Sequence, residues 1–478
     1  MKMSELAPKF EVLAPSPIAA ESPDISGLAA CIEDARQTAL EKDSGPPEPD
    51  SYAPLLARLE SARARLSPLY QEAMASPFIA TLRKTGESGF NQILLSDPGR
   101  EGLAALMLDI AQSILQSGEG FARAPTNAFA EVVTDLYDGF LSAEDRQGVE
   151  PPDRGLIPPL VKWGNPEAGP YTWPVDATSA FGCKAAVVSL PPANARAGLL
   201  AWPALGHETA GHDILHADTG LEPELATALQ QGLRSLGYGL DQYWSARIDE
   251  TSSDVMGILN VGPAAGIGLI GYFRALNAAS TGEPRLRSEG PKNDPHPADV
   301  LRGYLAAETV GLLGFSGRDA WSSLIARETN ADVQSIVLAG VHVSVAVARQ
   351  SAWIVAQTLV RHCADSLENH ALGEIQDWRD ADEQIVLMLR TALRASAELP
   401  PTRSRIYAAH VVAAAVTEAV ADGSEVHVVF DRMIALLDKL HGQNPASGPL
   451  ILPYRGDICR KVAFRSYPLK PGVSLAAK

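Results

Sequence analysis

Apolar residues begin to recur at three- and four-residue steps just after residue 50. Leu55, Leu56, Leu59, Ala62 and Leu66 set the pattern, which is the spacing of one helix face. The same period predicts helices over 101–117, 126–141, 203–217, 222–236, 241–260, 263–278, 297–312, 330–366, 376–397, 403–421 and 427–441. The 330–366 run is longer than most globular helices and contains Gly340, where it can break. Two short runs read differently. Val175 to Ala180 and Lys184 to Leu190 are β-branched or extended, bounded by Gly182 and Pro191, and predict strands of a small sheet or hairpin. The expected fold is mainly α (α+β), a helical body with one small β element ahead of the segment richest in histidine.

Punctuation divides the chain. Residues 1–50 are rich in Pro, Ser, Ala and acidic residues, with KDSGPPEPDS at 42–51 reading as a linker, and are expected to form an extended or partly disordered arm. A helical N-terminal region follows over 51–160, then a catalytic core over 161–315, a C-terminal helical region over 316–442 and a tail over 443–478. Composition narrows the classes. The chain has 57 acidic against 40 basic side chains, a formal net charge of -17 over 478 residues. Such an excess repels phosphate and argues against a nucleic-acid partner. At 46% hydrophobic residues, the chain can bury enough apolar surface to fold. The four cysteines are widely spaced, which excludes a disulfide scaffold and a thiolate zinc site. The N-terminus lacks the apolar run of a secretory signal, and no window has the uninterrupted apolar length of a membrane span. A cytoplasmic protein with no membrane partner is expected.

Chemistry concentrates in ALGHETAGHDILHADTGL at 204–221. His207, His212 and His216 stand there within ten positions, among Glu208, Asp213 and Asp218. On an ideal helix, Glu208, His212 and His216 share one face, whereas His207 and His212 lie roughly 140° apart. Those two converge on one ion only if the helix is overwound or carries a π-bulge, a distortion found mostly at functional sites. Gly211 would tolerate it. A second segment, YWSARIDETSSDVMGIL at 243–259, places Glu250 and Asp254 four apart among apolar residues. Carboxylates in such surroundings are costly unless paired, here with Arg247, or bound to metal. In the metal reading Glu250 is a ligand, and Asp254 orients a histidine through its second ring nitrogen.

HETAGHDILHADTGL followed by DETSSDVMG resembles the gluzincin, or thermolysin-like, zinc metallopeptidases, over about 30 residues of the chain. The resemblance implies that His207 and His212 are ligands, Glu208 the general base, Glu250 the third ligand and Asp254 its partner behind the ligands. It also implies a substrate-binding edge strand where 175–190 stands. The spacing here is H-E-x-x-x-H, one residue longer than H-E-x-x-H, a variant found in some metallopeptidase families. A rival ligand set, Glu208, His212, His216 and Glu250, fits an undistorted helix and suits Fe2+ or Mn2+ as readily as Zn2+.

The expected activity is hydrolysis of a peptide or amide substrate, with Zn2+ activating water and Glu208 moving the proton. Tyr243, His296 and Arg302 are the expected donors to the oxyanion. The alternatives are oxidation by a non-haem iron centre and a non-catalytic binding protein. Cys183 is expected to be a buried thiol, and the glycines of GPAAGIGLIG at 262–271 to serve close helix packing.

Overall fold

The computed structural model describes residues 23–43, 45–141, 149, 152–153, 157–396 and 407–443. The fold is mainly α with two small three-stranded sheets. Helices α1 (Leu28–Leu40), α2 (Tyr52–Arg63), α3 (Ser76–Ser96), α4 (Leu103–Glu119) and α5 (Arg123–Leu141) come first. The first sheet follows, with β1 (Leu160–Trp163), β2 (Tyr171–Trp173) and β3 (Val187–Leu190). Beyond it run α6 (Leu221–Leu233), α7 (Leu240–Ser245), α8 (Ile248–Val261), α9 (Pro263–Thr281), α10 (Asp299–Val310) and α11 (Arg318–Asp332). The second sheet joins β4 (Glu289–Gly290) to the hairpin β5 (Ile336–Leu338) and β6 (Val341–Val343). Helices α12 (Val345–Arg361), α13 (Asp380–Ala395), α14 (Ala408–Ala419) and α15 (Val426–Gln443) complete the body. Among the described residues no helix is long and apolar enough to cross a membrane.

Several expectations change. Within the expected arm, Leu28–Leu40 is a helix with Leu28, Cys31 and Ala35 buried; residues 1–22 and the tail from 444 lie outside the described residues. Val175–Thr178 is a helical turn, not a strand, because Pro174 occupies its N-cap and Asp176 its first turn. Only the 187–190 part of the second predicted strand is extended. The long 330–366 run divides at a hairpin. Ala339 and Gly340 take φ of 49° and 85°, the left-handed pair that a two-residue hairpin turn requires. Ser344 then caps α12 by accepting from the Val347 N–H.

The first sheet lies between two apolar clusters, and period-two alternation sorts its residues. Val161, Trp163, Val188 and Leu190 face the large core. Leu160 and Val187 face a smaller core built with α2, α3 and α4. β3 is central, parallel to β1 and antiparallel to β2. Tyr171 and Trp173 therefore point toward α4, and Thr172 points the opposite way. On the α4 side Asp109 accepts from Tyr171 Oη and Trp173 Nε1, both at 2.7 Å, and pairs with Lys162 Nζ.

Candidate metal centre

Residues Gly206–Asp213 form a π-helix. Its signature is an Ile214 N–H donated to Thr209 O, five residues back, at 3.1 Å. The wider turn places residues five apart on one face. His207 and His212 thereby meet, their Nε2 atoms 3.0 Å apart and their rings edge to face. Small residues let α8 approach. A methyl group on Gly211 would lie 2.3 Å from Ser253 Cβ, and one on Gly206 3.1 Å from Gly257 Cα. This contact carries Glu250 to the histidines. Its carboxylate oxygens lie 3.4 Å from His207 Nε2 and 3.6 Å from His212 Nε2.

The other ring nitrogens fix the tautomers. His207 Nδ1 lies 2.9 Å from Asp254 Oδ1, and His212 Nδ1 lies 3.0 Å from Asp249 Oδ1. A carboxylate can only accept, so both Nδ1 atoms carry hydrogen and both Nε2 lone pairs face each other and Glu250. Three electron-rich atoms converge where only a proton or a cation relieves them. Electrostatics agree. Burial works against charge on His207, but the bonds and charges of Asp254 and Glu250 outweigh it and hold its pKa up at about 10. Burial opposes ionisation of Glu250, yet His207, His296 and Arg302 hold it well below the usual carboxylate range.

Glu208 is buried on the same helix, and its ligating atom lies within 4.8 Å of those of His207 and His212. Two carboxylates therefore stand within reach of the imidazoles. Thr172 of β2 holds one of them, its Oγ1 lying 2.8 Å from Glu208 Oε2 and 3.1 Å from Glu208 O. Tetrahedral zinc, with bonds of about 2.0–2.2 Å, separates neighbouring ligand atoms by about 3.3–3.5 Å. The two Nε2 atoms, 3.0 Å apart, stand somewhat closer than that, and Glu250 turns Oε2 to one ring at 3.4 Å and Oε1 to the other at 3.6 Å; His207, His212 and a carboxylate of Glu208 or Glu250 together offer a donor set that could hold an ion.

The remaining expected residues divide. Asp254 meets His207 at its Nδ1. His296 Nε2 lies 3.2 Å from Glu250 Oε1, with its side chain about half exposed; the bond to Glu250 raises its pKa against burial. His216 turns away from the triangle, its Nε2 lying 3.0 Å from Asp249 Oδ1. Tyr243 is not brought into the cluster, because its hydroxyl accepts the Ala298 N–H at 3.0 Å. Arg302 is 5% exposed and donates twice to Asp254, so it is closed to an oxyanion. Arg247 does not pair with Glu250. It donates to the carbonyls of Tyr243, Pro291, Lys292 and His296, and so holds the loop carrying His296. Burial pushes the Cys183 thiol up to about 12, which suits a buried thiol and not a nucleophile. The glycine run lies in α9, where Gly266, Gly268 and Gly271 pack against Ile325, Pro203 and Leu200.

Two residues of the site escape the sequence reading. Asp249 precedes Glu250 and is found by asking which carboxylate serves the second histidine. Thr172 sits in a three-residue strand that has no periodic signal. The chain matches no protein-family model, no curated protein and no solved structure.

Proposed function

We propose that the chain is a metal-dependent hydrolase of peptide or amide bonds, with His207, His212 and Glu250 as ligands of a zinc ion. The observation that carries this reading is the π-helical turn. It aims two imidazole lone pairs at one point, where Glu250 of α8 meets them, while two further carboxylates hold the ring tautomers. A bound ion would supply a water of lowered pKa and polarise the scissile carbonyl.

The chain's own residues do the rest. Glu208 takes a proton from the attacking water and returns it to the leaving amine. Thr172 engages one oxygen of that carboxylate and limits its rotation. Asp254 and Asp249 keep the two imidazoles facing inward. His296, half exposed beside Glu250, serves as the oxyanion donor once its Nε2 leaves Glu250 Oε1, while Asp294 keeps hold of its Nδ1. Tyr243 and Arg302 have no part in the bond-breaking step.

Metal analysis of protein purified without added metal, together with Glu208→Gln, tests the reading. Zinc is expected at one equivalent. Glu208→Gln should keep the ion and lose hydrolysis of a fluorogenic peptide mixture by roughly 10²-fold or more. Loss of the ion would make Glu208 a ligand instead. Full occupancy in His207→Ala with none in His216→Ala would overturn the ligand assignment, and iron in place of zinc would favour oxidation.

A further inference from the structure

Arg302 brings a permanent positive charge to the back of the centre. It comes from α10, a third helix beyond the two that supply the ligands. Its Nε lies 2.7 Å from Asp254 Oδ2 and its Nη2 2.6 Å from Asp254 Oδ1, a two-pronged pairing that fixes the plane of the carboxylate. The same Oδ1 receives His207 Nδ1. Nη2 also lies 3.6 Å from Glu250 Oε2. The guanidinium rests on the Phe273 ring, 4.6 Å from its centroid, a cation–π contact that favours this orientation. One side chain thus governs a residue behind one histidine and a carboxylate in front of both.

We propose that Arg302 is a positioning residue of the metal centre. It locks Asp254, through it the His207 ring, and it steers Glu250, so that the donor atoms converge before an ion arrives. The inference rests on the metal reading above. The Arg302–Asp254 pair is neutral as a unit, so it delivers geometry to the ion more than field. Freed from the fork, Asp254 no longer holds His207 in one plane, and partners of this kind are worth about 10–100-fold in metal affinity.

The test uses the full chain as wild type, Arg302→Met and Arg302→Lys. Zn2+ and Co2+ affinities are measured by competition with a chromophoric chelator. The visible spectrum of the Co2+ form reports ligand geometry, and melting of metal-free protein reports folding separately. Arg302→Met is expected to bind Zn2+ about 10–100-fold more weakly, with altered Co2+ bands. Arg302→Lys should recover part of the loss, because lysine keeps the charge and lacks the fork. Wild-type or tighter affinity in Arg302→Met, with unchanged Co2+ bands, overturns the proposal. If Arg302→Met does not fold, Arg302→Lys decides alone: weaker binding supports the role and unchanged binding overturns it. If wild type takes up neither ion, the metal reading falls and this role with it. If the ions bind in the expected order and no peptide is cleaved, the Arg302 role is supported and only the hydrolase reading falls.

Discussion

The two sheets share one plan and serve the centre differently. Each has a central strand with one parallel and one antiparallel neighbour. In the first, β1 and β3 are buried throughout, between two apolar cores. In the second, β6 is largely exposed and β4 is two residues long. The first sheet delivers Thr172 to Glu208 from inside a strand. The second passes from Gly290 into the loop that carries His296, and Arg247 ties that loop down by its carbonyls. Thr172 is the middle residue of β2, the half-buried edge strand of that sheet, and the antiparallel register of β2 against the buried β3 sets the face on which it meets Glu208. A loop held by backbone carbonyls places a side chain at the open edge of the site.

The comparison can be broken from its strong end. Asp109→Ala removes the acceptor shared by Lys162, Tyr171 and Trp173 and leaves a buried ammonium unpaired. A loss of about 3–5 kcal/mol is expected from denaturant unfolding; a loss under 1 kcal/mol would show that the first sheet does not depend on this anchor. Arg247→Ala strips the His296 loop of its donors and should cost about 2–3 kcal/mol. Zn2+ affinity should stay near wild type, since Arg247 touches no ligand. Thr172→Val should cost about 0.5–1.5 kcal/mol and lower kcat for peptide hydrolysis more than it changes KM, with Thr172→Ser restoring it. Equal rates for Val and Ser would remove Thr172 from the base. His342→Ala, on the exposed edge strand β6, should stay within about 0.5 kcal/mol of wild type. A larger loss there would erase the contrast between the sheets.

Much of the centre is legible in the residues themselves. Two histidines five apart, with glycine between, demand a local distortion before they can share an ion. The chain supplies it as a π-helix over Gly206–Asp213. Glu250 and Asp254, one turn apart, are legible as a pair on one face of α8. The strands are less so, because a three-residue strand such as β2 contains too few positions to show a period. Val175 is β-branched yet helical, since the capping proline before it outweighs its strand propensity.

The sequence by itself determined the helical body and the histidine cluster, because these depend on local spacing, and it left open whether a widened turn pairs His207 with His212 or a regular one pairs His212 with His216. Only the tertiary structure decided which side chains meet. It turned His216 onto Asp249, closed Arg302 behind Asp254, withdrew Tyr243 to the Ala298 amide and brought Thr172 onto Glu208. Those choices depend on how closely helices and strands approach through residues such as Gly211 and Gly257. Contacts across 33 to 55 positions of chain leave no mark on the spacing of neighbours.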